Sequence, residues 1–188
     1  MKNTLSALGA ALALCAMAAP AAAQSGNSSD VSGASVTTSS IAGGVFAPGG
    51  AGRTSPAVQG AVESTAFGAF RSLRSGSVTG GGITFSGGGV EAVGAVMNSA
   101  NPSPAVLAQV TWALNASGAP DKEVNALTNS IQGLLVNPSP KAVTNAINSF
   151  NGLVNVSKAS FLAEPPSEFQ AIYAVLSQIV VAGNAAAR

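Results

Sequence analysis

Five times between residues 55 and 166, a proline stands where an apolar stripe of helical spacing begins. Proline loses nothing in a helix's first turn, where its missing N–H has no intrahelical acceptor, but it breaks a helix interior. The prolines therefore act as punctuation and divide the chain into helices of ordinary length. Ser55-Pro56 opens the first, in which Val58, Val62, Ala66, Ala69 and Leu73 recur at helical spacing before Gly76. Ser55 can accept from a free first-turn N–H, and Gly76 suits the left-handed residue past a helix end.

From Val90 onward the chain is helical in character. Val90, Val93, Val96, Met97 and Ala100 form a first stripe, and Asn101-Pro102-Ser103-Pro104 restarts the chain. Val106, Leu107, Val110, Ala113 and Leu114 follow, up to Gly118. Pro120 introduces Val124, Leu127, Ile131, Leu134 and Leu135, and Asn137-Pro138-Ser139-Pro140 restarts the chain again. The next helix carries Val143, Ala146, Ile147, Phe150, Leu153 and Val154, with Asn145, Asn148, Asn151 and Asn155 on its far side. At 100° per residue the two sets separate almost completely. Val156–Glu164 reads as a connection. Pro165-Pro166 leads the last helix, whose Phe169, Ile172, Tyr173, Val175, Leu176, Ile179 and Val180 make it apolar around most of its circumference. It is the expected central element.

The expected fold is mainly α: an antiparallel bundle of five to six helices over 55–188. Asn-Pro-Ser-Pro recurs after 36 residues, which invites an αα-repeat. Two copies with unequal connections fall short of a solenoid, and one bundle with two similar hairpins is preferred. Phe67 and Phe70 lie off the main stripe of the helix at 56–74, which predicts that this helix covers the bundle from outside.

Two regions lack helical period. Residues 24–54 are mostly Gly, Ser, Thr, Ala and Asn, and are read as a flexible tail or linker, with one weak strand near Ser35–Ile41 as an option. Residues 77–89 form a Gly-rich stretch in which Ser77–Thr79 and Ile83–Phe85 flank three glycines. A short β-hairpin over 77–86 and a mobile loop are both compatible with it. The loop is preferred, because two strands are marginal without a third partner.

The first 23 residues have the pattern of a cleaved export signal. Lys2 is basic, Leu5–Ala19 is apolar, Pro20 breaks the helix, and Ala21-Ala22-Ala23 precedes Gln24. Leu14 is too large for the lipobox position before Cys15, so acylation is not expected. The expected location is the periplasm or the cell exterior, with a bacterial style of leader and no transmembrane span in the mature chain.

Removing that leader removes Lys2 and the only cysteine. Seven basic residues then balance seven acids, and histidine is absent. Such a chain has no His-based acid–base group, no Cys nucleophile, no disulfide and no His/Cys zinc ligand. Asp121/Glu123 and Glu168 fall in first turns, where negative charge offsets the helix dipole. Ser-x-x-Lys and Asp-x-Asp-x-Asp runs are missing. Gly87-Gly88-Gly89 leads into Glu91 rather than a Lys-Ser/Thr ending, which disfavours a phosphate loop. Arg53, Arg71 and Arg74 fall short of a nucleic-acid footprint.

These features predict a non-enzymatic exported protein, without cofactor or metal, that acts by association with a protein partner or with itself. The alternative is a carrier of an apolar small molecule or lipid within the bundle. An enzyme restricted to carboxylates and hydroxyls is the weakest reading. Candidate contact residues are Trp112, Phe67, Phe70 and Tyr173. Trp112 points away from its helix's stripe, towards Ala105, Ala108 and Ala116. A small-residue face beside one indole suits close packing on a second helix, or alternatively a partner anchor.

Overall fold

Serine caps set the start of three helices in this computed structural model, which describes residues 40–47, 55–97 and 103–188. Ser55 Oγ accepts from Val58 N at 3.2 Å and opens α1 (Pro56–Arg74). The hairpin strands β1 (Ser77–Gly80) and β2 (Ile83–Ser86) follow, then α2 (Gly88–Met97). Ser103 Oγ accepts from Val106 N at 3.4 Å at the head of α3 (Pro104–Asn115). α4 (Asp121–Val136) begins behind Pro120 and carries Asp121 and Glu123 in its first turn. Ser139 Oγ accepts from Ala142 N at 3.2 Å and opens α5 (Pro140–Val156). α6 (Ala159–Ala163) and α7 (Ser167–Ala186) complete the chain. The fold is mainly α, as expected. The expected export signal (1–23), residues 24–39 and 48–54 of the expected tail, and the first Asn-Pro pair at 101–102 lie outside the described residues.

α7 is the centre of the bundle. It packs on α1, α2, α3, α5, both strands and the 3-10 turn at Gly44–Phe46, and its pairing with α1 is the most extensive among the described elements. Phe169, Ile172, Val175, Leu176 and Ile179 are fully enclosed. This hub arrangement differs from a solenoid, in which each repeat meets only its neighbours. α1 is accordingly a principal core partner and not an outer cover. Phe70, expected on its outside, is only 3% exposed. It lies on the flank of the stripe beside Ala66, Ala69 and Leu73, and its long side chain reaches inward from there.

The Gly-rich stretch forms a hairpin, not a loop. Gly81 and Gly82 both have positive φ, 60° and 82°, which a two-residue turn matched to strand twist requires. Val78 pairs with Phe85 on the buried side, while the Thr79 and Thr84 hydroxyls share a 2.8 Å hydrogen bond on the outer side. The missing third strand is replaced by a helix: β1 lies against α7 so closely that a Cβ at Gly80 would collide with the Ala174 backbone.

Two further expectations are corrected. Residues 40–47, read as part of a flexible tail, are docked on α5 and α7. Phe46 is 1% exposed and sits against Gly183, where a Cβ would meet its ring. Asn151 clamps Ile41 from both sides, its Oδ1 accepting from Ile41 N (2.8 Å) and its Nδ2 donating to Ile41 O (3.0 Å). Asn184 Oδ1 accepts from Val45 N (2.9 Å), and Thr144 Oγ1 donates to Phe46 O (3.1 Å). The nominal far side of α5 is thus covered at Asn151. Within 156–164, read as a connection, α6 buries Phe161 edge-on against Phe169 (5.0 Å), which stacks on Phe150 (4.7 Å).

Candidate functional site

The four aromatic candidates take three different positions. Tyr173 is half-buried on α7, with its ring 6.0 Å from Phe150, at the edge of the Phe150–Phe169–Phe161 cluster. It extends the core. Phe67 is 62% exposed on α1. Together with the buried Phe70, with Arg71, Arg74 and with Leu135 of α4, it lines a surface groove of about 380 Å³. Trp112 is 76% exposed on α3, outside that groove. The expected close packing of Trp112 on a second helix is not what the structure shows. Val110, Ala113 and Leu114 turn the other side of α3 inward and leave the indole outside.

Exposed apolar side chains of this size are the least expected part of a surface that owes water little else. The sequence singles out Phe67 and Trp112 as candidate contact residues because each lies off its helix's stripe, although for Trp112 packing on a second helix is the preferred expectation. It misses Val136 (74% exposed), Val156 (45% exposed) and Val181 (69% exposed), which continue apolar runs and so resemble core residues. The available signal was positional: Val136 ends α4 just before its C-cap Asn137.

Glu168, 8% exposed in the first turn of α7, accepts from Gln109 Nε2 (3.4 Å) and from the Ser167 hydroxyl (3.3 Å). It also packs against Gly89 in the first turn of α2. A carboxylate of the chain itself thus stands at the glycine-led helix start where an external anion would have to bind. Arg71 and Arg74 lie in the last turn of α1, the favourable end of that helix for positive charge. A second groove of about 470 Å³ runs between α4 and α5, lined by Asn129, Ser130, Asn137, Ser139, Lys141 and Asn145 among others. It carries amides and hydroxyls but no aromatic platform. No group of three or more acidic, His or Cys residues able to hold a metal ion occurs among the described residues.

α7 is long and apolar enough to cross a membrane by length and composition, with a mean hydropathy of 1.3. In the bundle, half of that span is buried against other elements of the chain. The chain matches no protein-family model, no curated protein and no solved structure.

Proposed function

We propose that this is an exported, non-enzymatic helical protein that acts by association, with a protein partner or with a second copy of itself, at the cell envelope or outside the cell. The observation that carries this reading is the pair of large aromatic side chains, Phe67 and Trp112, held in solvent on helices whose opposite faces are buried. Leaving a Phe or Trp in water forgoes roughly 2 kcal/mol or more that burial would return, and aromatic anchors of this kind dominate association energies. Near-zero net charge removes long-range repulsion between copies. The carrier alternative rested on the all-round apolar character of the last helix. The elements packed around α7 bury half of its apolar span, which supports association over the carrier.

The test places a photoreactive phenylalanine analogue at 67 or at 112 in the protein expressed by its host. A protein adduct at either position is expected. Absence of protein adducts at both, together with lipid retained in native mass spectra, would overturn the reading in favour of the carrier.

A further inference from the structure

The outward face of α1 is complementary to itself. Phe67 marks its centre. Glu63 and Arg71 stand four residues either side of Phe67, hence about 6 Å along the axis and about 40° around it. Both are exposed. Gln59 Nε2 donates to Glu63 Oε1 and orients that carboxylate. Around them the face is low: Gly60 and Gly68 are exposed, with open space where a Cβ would be, and Ser64 is small and exposed.

We infer that α1 pairs with α1 of a second copy of this chain, antiparallel about a two-fold axis passing near Phe67. This rests on the reading of the protein as one that associates, and it names the partner. An antiparallel two-fold sets residue 67+k of one copy against residue 67−k of the other, as an isologous interface requires. Arg71 of each copy then faces Glu63 of the other, and Arg74 lies over Gly60, where no side chain obstructs it. The two Phe67 rings then meet at the axis, each beside the groove that Phe70, Arg71, Arg74 and Leu135 line on its own copy. A parallel pairing sets Glu63 on Glu63 and Arg71 on Arg71, so the charges select the antiparallel form. A single helix-on-helix contact lies at the small end of specific interfaces, which places the dimer in a reversible, concentration-dependent regime.

The experiment is light scattering of protein purified from its host, from about 1 µM to about 1 mM, on the natural chain and three variants. Glu63→Arg and Arg71→Glu each set like charges together twice in the dimer and should weaken it roughly tenfold. The double exchange, Glu63→Arg with Arg71→Glu, should restore it. Circular dichroism melting of each variant separates loss of pairing from loss of fold. A photoreactive residue at 67 should yield an adduct with the mass of two copies. A dimer indifferent to the charge exchanges overturns the α1 pairing and leaves association through another surface standing. A monomer at all concentrations overturns the pairing as well. In that case adducts of other mass at 67 or 112 keep the broader reading, and their absence removes it.

Discussion

Phe46 and its seat on Gly183 show how much one side chain can organise. The residues around it have no hydrophobic period, yet a single enclosed ring and four side chain–backbone hydrogen bonds hold 40–47 on the bundle. Those bonds come from Asn151, Asn184 and Thr144, residues whose sequence positions gave no hint of their partners more than ninety residues away. This is the part of the fold least legible in the sequence, because a docked segment without its own periodicity is specified by its receptor. Phe46→Ala should cost about 2–3 kcal/mol in urea unfolding, at or below the usual range for a core Phe because the segment can release locally. Proteolysis should then reach 40–47 in the folded protein. Unchanged stability and unchanged cleavage would show that the segment is not docked in solution. Gly183→Val should act similarly by refusing the ring. At Phe67 the off-stripe position in the sequence agrees with its exposure, whereas Phe70, also off the stripe, is buried because it lies at the stripe's flank.

The helices were the most legible elements because their start signals are local. A serine followed by a proline fixes a cap and a first turn without reference to the rest of the chain, and Ser55, Ser103 and Ser139 all cap as their sequences imply. Ser139→Ala should lower stability by about 1 kcal/mol, measured by thermal or urea unfolding, without altering the fold. A change under a few tenths would mean that Pro140 alone sets the helix start. The hairpin was undervalued for a physical reason. Counting strands treats a sheet as its own support, whereas here the support is α7, which a local pattern does not reveal. The Gly81-Gly82 turn was nonetheless written in the sequence. Gly81→Ala with Gly82→Ala should destabilise by roughly 2 kcal/mol in total, since each alanine must hold a positive φ. Equal stability would require the turn to have adopted another form, which amide hydrogen exchange at Gly80 and Ile83, the hydrogen-bonded pair beside the turn, would report. The short α6 escaped notice because five residues are too few to show a helical period.

Across the whole molecule, the apolar circumference of the last helix identified the hub correctly, but not the order in which other helices attach to it. α1 is α7's main partner, whereas α4 packs on α5, α3 and α2 and is held to the hub mostly through them. That difference in attachment sets an order of stability. Opening α7 strips contact from α1, α2, α3, α5 and the hairpin together, so its amides should exchange only by global unfolding. Opening α4 exposes Val124, Leu127, Ile131 and Leu134 while the α1–α7 pair stays closed. Native-state hydrogen exchange should therefore find the slowest amides around Ile172–Ile179 and measurably faster ones in the middle of α4. Ile179→Ala, at a fully enclosed position, should lower protection in α1 and α7 equally by about 2–5 kcal/mol. Leu127→Ala should lower it in α4 at least as much as in α7. If α4 instead exchanged as slowly as α7, and both substitutions acted uniformly over all helices, the bundle would behave as one indivisible unit. The hub would then describe its geometry and not its energetics.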